Sequence, residues 1–211
     1  VFEGDENAPY DEESKKIWLS LGVPEERIAA LPKKNNWWGP AGQTGPCGPD
    51  TEMFYWAGTE TPPERFDPDD SQWVEIWNDV FMQYNKKADG SFTPLKQKNV
   101  DTGMGLERTL AVLNGLDDNY RTELFWPIIQ KAEELSGKKY DESIEVTRSM
   151  RIVADHIRAA VMIIADGVVP SHIGRGYISR RLIRRALRHL NRLGIAEEKI
   201  EILAHSMIGM Y

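Results

Sequence analysis

Three stretches of this 211-residue chain carry side chains and spacings that could do chemistry. In VDTGMGLER, residues 100–108, Asp101 sits at a predicted strand end, two glycines turn the chain, and Arg108 falls in the first turns of a predicted helix. Glycines let a ligand or a backbone approach closely, and a guanidinium offers a fixed fork of donors that suits a phosphate. The same arginine would also fit an ordinary solvated helix face, and the residues alone leave both readings open. The second stretch, EIWN at 75–78, lies inside a run dense in aromatic and β-branched residues. The third is basic: from Gly167 to Ala196 there is no acid, and there are seven arginines, Arg175, Arg180, Arg181, Arg184, Arg185, Arg188 and Arg192. That segment carries +7 in a chain whose net charge is −7, so one region should attract an anion and the remainder should not.

A fourth stretch, GPAGQTGPCGPD at 39–50, places a glycine at every third position: Gly39, Gly42, Gly45 and Gly48. Four triplets are too few for a collagen helix. A flexible linker would be Ser-rich or charged, whereas Trp37 and Trp38 precede this segment and TEMFYW comes directly after it. The remaining reading is a tight, ordered loop without regular structure, serving either packing or binding.

The elements that must position these residues fall into two halves. Asp11 to about Leu31 reads as helical, broken at Gly22-Val23-Pro24. Thr51 to Trp56 is a short strand candidate and Trp73 to Tyr84 a long one, followed by an Asp89-Gly90 turn and the returning SFTPL, a predicted hairpin. Gln97 to Asp101 reads as a further short strand, and Thr102 to Gly105 as the turn into a helix over 105–114. Strands without βαβ alternation imply an antiparallel sheet of the α+β class. Beyond about Asn119 the pattern becomes helix after helix. Met150 to Ala165 has a broad apolar face (Ile152, Val153, Ile157, Ala160, Val161, Ile164), and Tyr177 to Leu193 is two-faced. On the latter, Leu182, Ala186, Leu190 and Leu193 lie opposite Arg181, Arg185, Arg188 and Arg192. The boundary is placed near 119–126, giving domains 1–122 and 123–211.

Composition sets outer limits. A hydrophobic content of 41% with 28% charged residues suits a globular fold, and no apolar run approaches a membrane span, so no membrane partner is expected. The single cysteine, Cys47, excludes an internal disulfide framework and fits a reducing, cytoplasmic setting. The chain opens on Val1 with no signal-peptide pattern and reads as an internal piece of a longer protein. His156, on the apolar side of its helix, reads as a core histidine, and no other His or Cys stands at metal-ligand spacing from it.

Three long blocks in register, NNWWGPAGQTGPCGPDTEMFY, WVEIWNDVFMQYNKKADGSFTPLKQKNVDTGMGLER and RIVADHIRAAVMIIADGVVPSHIGRGYISRRLIRRALRH, resemble alanyl-tRNA synthetases. The similarity covers nearly the whole chain. It implies part of a class II antiparallel sheet with flanking helices and motif 3, followed by an incomplete α-helical domain for the tRNA acceptor stem. The implied activity is ATP-dependent condensation of alanine to alanyl-adenylate, then transfer to the 3′ end of tRNA(Ala), with Mg²⁺ accompanying ATP. By the same resemblance Arg108 meets the ATP γ-phosphate, with Gly105 beside it. Asp101 meets the alanine ammonium, Gly103 leaves room for the methyl group, Asn78 contacts the amino acid, and Trp38 lines the pocket, with the glycine loop as a wall. Glu75 serves ATP or its Mg²⁺, or else partners a nearby arginine. On a regular strand Glu75 and Asn78 point to opposite faces, so a shared ligand requires a bulge or twist.

In the helical half the resemblance assigns Arg175, Arg181, Arg185, Arg188 and Arg192 to tRNA. It places His172 where the family usually carries an asparagine that reads the third base pair; a neutral imidazole can donate or accept on that edge but not do both at one atom pair as an amide does. Many members follow Cys47 with a second cysteine where this chain has Asp50, so no metal is expected in this protein alone. Cys47 reads as a small buried filler, and zinc belongs only to domains downstream. Oligomerisation is likewise expected only through a C-terminal domain. Motifs 1 and 2 are expected upstream of Val1, so the isolated chain should make adenylate weakly or not at all. The alternative is a non-catalytic module that binds acceptor stems.

Overall fold

The computed structural model describes residues 1–211. Its contacts divide into two compact units, Val1–Asp117 and Asp118–Tyr211. The first is built on a four-stranded, wholly antiparallel sheet in sequential order, β1 (Trp37–Trp38), β2 (Gly45–Trp56), β3 (Trp73–Lys86) and β4 (Phe92–Met104). Helix α1 (Glu12–Ser20) begins where the Asp11 carboxylate accepts the Ser14 N–H. It docks through Trp18, whose Nε1 donates to Thr51 Oγ1 at 2.9 Å. Trp37 anchors β1 among Phe2, Tyr84 and Phe92, with ring centroids 5.5 to 5.8 Å away. Helix α2 (Leu106–Leu113) begins after β4 and the single residue Gly105.

Two expectations for this half are corrected. Residues 39–50 are not wholly irregular, because Gly45–Asp50 is the first half of β2. Its neighbour β3 partners Gly45, Pro46, Cys47 and Asp50, and Pro49 falls within the register shift between Cys47 and Asp50, where Gly48 and Pro49 pair instead with β1. The role of Gly48 comes from the same irregularity. A Cβ there would lie 1.8 Å from the Phe81 carbonyl oxygen, so this glycine makes way for a neighbouring backbone rather than for a ligand. Nor is 97–101 a separate strand, nor 102–105 a turn. β4 runs unbroken to Met104 because Thr102 and Gly103 keep their partners Asp79 and Asn78 on β3, and Trp77 Nε1 donates to Thr102 Oγ1.

The second unit is helical: α3 (Trp126–Ser136), α4 (Ile144–Ala165), α5 (Gly174–Leu193) and α6 (Ile200–Ile208). Glycines in the left-handed region end α3 (Gly137, φ 70°) and α5 (Gly194, φ 81°). Ile128, Met150, Leu190 and Leu203 are fully buried at its centre. The apolar face of α4 is narrower than its sequence suggests: Val153, Ile157 and Ala160 are buried, Ile152 and Val161 are half-buried, and Ile164 is exposed.

The division falls at Asp118, earlier than the 122/123 boundary, and long-range bonds explain why. The Asp118 carboxylate accepts from Tyr140 Oη (2.6 Å), Arg151 Nη2 (2.8 Å) and the Tyr120 N–H (2.9 Å). Burial acts to raise the Asp118 pKa, but these bonds outweigh it and hold the group below the usual carboxylate range.

Candidate active site and nucleic-acid face

Residues directly opposite one another in an antiparallel sheet point to the same side. The pairings Asp50–Val80–Asp101 and Glu52–Asn78–Gly103 across β2, β3 and β4 therefore put all six residues on one face. A bulge brings Glu75 to join them. Met53 pairs with Trp77 but Phe54 pairs with Glu75, leaving Ile76 as an extra residue on β3. The condition set by the spacing of Glu75 and Asn78 is met there.

The bulged residue also fixes the path of the chain beyond β4. The Ile76 carbonyl accepts the Gly105 N–H at 3.0 Å and Thr109 Oγ1 at 3.5 Å, tying the start of α2 to β3. Arg108 is thereby set beside Glu75, with Nη1 2.9 Å from Oε2. Gly105 makes this geometry possible: a Cβ there would stand 2.9 Å from Arg108 Nε. Around Gly103 the space is open, with no heavy atom within 4 Å of an added Cβ. Asp101 is exposed on β4. Trp38, next to Trp37 on β1, points to the other side of that strand, pairs with Gly48 and is 41% exposed.

The acids behind Asn78 are not among the residues singled out from the sequence. Asn78 Nδ2 donates to Asp50 Oδ2 (3.1 Å) and Glu52 Oε1 (3.3 Å), and Asn36 Nδ2 donates to Asp50 Oδ1 (3.1 Å). Asp50 and Glu52 stand two apart on a strand, which is the pattern that could have shown them. Burial, then the charges of Asp50 and Glu75, push Glu52 up to about 7. Burial likewise raises Asp50, against the hydrogen bonds from the two asparagines. No three His, Cys, Asp or Glu side chains form a group able to hold a metal ion alone. Cys47 is fully buried, and burial raises its thiol pKa.

The raised Glu52 sets a pH dependence. A carboxyl whose folded pKa exceeds its unfolded value adds stability at low pH that is lost as pH rises through the folded value. Glu52→Gln is therefore expected to stabilise the protein at pH 8 by about 1 kcal/mol, after discounting for partial exposure, and to change little at pH 4. Urea unfolding of the variant and parent at the two pH values checks this.

In the helical unit the seven arginines between Arg175 and Arg192 are all exposed on α5. None has a carboxylate partner, and Arg181 lies over the Tyr177 ring at 5.8 Å. Arg181, Arg185, Arg188 and Arg192 form a stripe of roughly 16 Å at 1.5 Å per residue. His172 is exposed just ahead of the helix. Its loop is held by the Ser171 N–H donating to the Gly176 carbonyl at 3.0 Å. Gly176 admits that loop, since a Cβ would lie 2.4 Å from Ser171 Oγ. His156 is buried against Asp155, with 2.7 Å between Nδ1 and Oδ2. His189, which no sequence motif marks, is buried on α5 with Nδ1 3.1 Å from Ser149 Oγ. Burial, then Arg192, Arg185 and Arg188, lower its pKa.

A bulged antiparallel sheet whose last strand runs through Gly103 and passes by Gly105 alone into the helix of Arg108, on the same chain as an arginine helix, agrees with the comparison to known families. Residues 1–211 match the model for class II tRNA synthetases (A), and the chain belongs to that family. Among its relatives is the alanine–tRNA ligase of Treponema denticola, 53% identical over 213 residues, covering 99% of this chain and 36% of that protein. The alanine–tRNA ligase of Borrelia hermsii is 49% identical over 215 residues, covering 100% and 36%. That of Rubrobacter xylanophilus is 46% identical over 218 residues, covering 98% and 25%. The chain thus spans about a third or less of the length of these relatives. No helix is long and apolar enough to cross a membrane.

Proposed function

We propose that the chain is the segment of an alanine–tRNA ligase that carries the amino-acid pocket, one end of the ATP site and the start of the acceptor-stem surface. The reaction joins the alanine carboxylate to the α-phosphorus of ATP and releases pyrophosphate. The alanyl group then passes to the 3′ end of tRNA(Ala). The supporting observation is the Ile76 bulge, which places Glu75 on the face of Asn78, Asp101 and Gly103 and ties down the turn leading to Arg108.

Asp101 gives an ionised acceptor for the substrate ammonium, and the open space at Gly103 suits a methyl group. Asn78, fixed by Asp50 and Glu52, orients the amino acid, and Trp38 lines the pocket from β1. Arg108 binds the γ-phosphate and stabilises charge on the departing pyrophosphate, with Gly105 admitting close approach. Glu75 positions Arg108 in the free protein. Its carboxylate also fits Mg²⁺, which is held by one or two carboxylates together with substrate phosphates. Bound there, Mg²⁺ would neutralise phosphate charge. In the helical unit, His172 and the arginines of α5 take the acceptor stem, because A-form RNA is recognised through its shallow groove and its phosphates.

Calorimetric binding of alanyl-sulfamoyl-adenosine, a stable mimic of the adenylate, tests the reading. Saturable binding is expected, tighter than for the seryl and phenylalanyl counterparts. Equal binding of all three, or none, would contradict it.

A further inference from the structure

The helical unit has a recess of about 630 Å³ of which these roles use only Arg185. Its lining includes Arg148 and Arg151 of α4, Arg185 of α5, the hydroxyl residues Ser143 and Thr147, and Asp141. Three guanidinium groups sharing one concavity repel one another unless acids or a bound anion offset them. Three nearby acids are already engaged, and Glu145 in the first turn of α4 is not part of the lining. Asp141 pairs with Arg121, Asp118 pairs with Arg151 at 2.8 Å, and Glu142 accepts the Lys139 N–H at 2.8 Å. Arg148 and Arg185 are left exposed and without a carboxylate.

The hydroxyls are oriented by the donors they accept. Ser143 Oγ takes the Val146 N–H at 3.2 Å and Thr147 Oγ1 takes the Asp141 N–H at 3.0 Å. Each hydroxyl proton therefore remains available for donation to a third group. The recess also lies at the N-terminal end of the 22-residue α4, where the helix field favours negative charge. Forked donors, hydroxyls and a positive field together suit tetrahedral oxygens better than a single carboxylate.

We infer that this recess is a phosphate-binding site, held by Arg148, Arg185, Ser143 and Thr147, with Arg151 as a further cation. Two sources share that chemistry: a phosphodiester of bound RNA and a free phosphate. The RNA source rests on the proposed role of α5, because Arg185 belongs both to the stripe and to the recess. A strand running along the stripe would place a phosphate there in addition to those on the outer arginines.

The test uses Arg148→Ala in the 211-residue chain. Arg148 is exposed and carries no carboxylate, and circular dichroism verifies the fold. For an acceptor-stem hairpin, the variant is expected to bind about tenfold more weakly, with a log–log salt slope shallower by roughly 0.7 to 0.9. Arg148→Lys should recover part of the loss. In the second arm, inorganic phosphate should raise the melting temperature of the parent above a chloride control of equal ionic strength, and should do so less in the variant. Loss in the hairpin arm assigns an RNA phosphodiester; loss in the phosphate arm alone assigns a free phosphate. No change in either arm overturns the site. A parallel Arg181→Glu/Arg188→Glu variant separates the two ideas. If that pair weakens hairpin binding while Arg148→Ala changes nothing in either arm, the recess fails and the α5 reading stands. If the pair leaves hairpin binding unchanged, the α5 reading fails, and the phosphate arm still decides the recess.

Discussion

Asp101→Asn is expected to weaken alanyl-sulfamoyl-adenosine binding by about fiftyfold, because it replaces an ionised acceptor by a neutral amide of the same shape. The register places Asp101 opposite Val80 and two residues from Gly103, on the face of Asn78. Its exposure should keep the fold insensitive to the change. A pure ATP titration should move little, since that carboxylate is assigned to the amino acid. Arg108→Ala should show the reverse pattern, weakening ATP by about thirtyfold and the analogue, which lacks the β- and γ-phosphates, only slightly. The crossed pattern discriminates between a specific site and general loss of the sheet. Calorimetry with both ligands on both variants reads it directly, and parallel losses in all four titrations would contradict the assignments.

Reversing two charges on α5 should have the larger effect on RNA. On the proposed reading, Arg181→Glu with Arg188→Glu would remove two phosphate contacts and add repulsion, so acceptor-stem affinity is expected to fall by at least about a hundredfold near 0.1 M salt. The log–log salt slope should flatten by roughly 1.4 to 1.8, which corresponds to two fewer neutralised phosphates. Both residues are exposed and lack carboxylate partners, so thermal stability should stay within about 0.5 kcal/mol of the parent. Filter binding across a salt series checks the slope, and an unchanged slope would remove this face from the interface.

Where neighbouring residues decide the outcome, the sequence is readable. The long strand β3, the Asp89-Gly90 hairpin and the two-faced α5 all come from local periodicity and turn chemistry. The features that escape such reading depend on partners distant in the chain. Pro46, Gly48 and Pro49 look irregular until β3 lies beside them, and only the Phe81 carbonyl explains why Gly48 can bear no side chain. β4 continues through Gly103 because Asn78 stands opposite it, which no window along the chain contains. Resemblance supplies Asp101, Asn78 and Arg108, but the means of joining them is the extra residue at Ile76, and a bulge of that kind leaves no compositional mark. Asp50 and Glu52 are hidden for another reason: acids on a strand resemble its solvated face until Asn36 and Asn78 are seen to hold them.

The central claim is that one bulged face of the sheet, ending at Arg108, receives an aminoacyl-adenylate. Amide chemical-shift mapping of the 211-residue chain during titration with alanyl-sulfamoyl-adenosine tests it most directly. Shifts concentrated at Asn78, Asp101, Gly103 and Gly105, with the buried helices of the second unit undisturbed, are the predicted result. Saturable binding whose shifts avoid those four amides would contradict it.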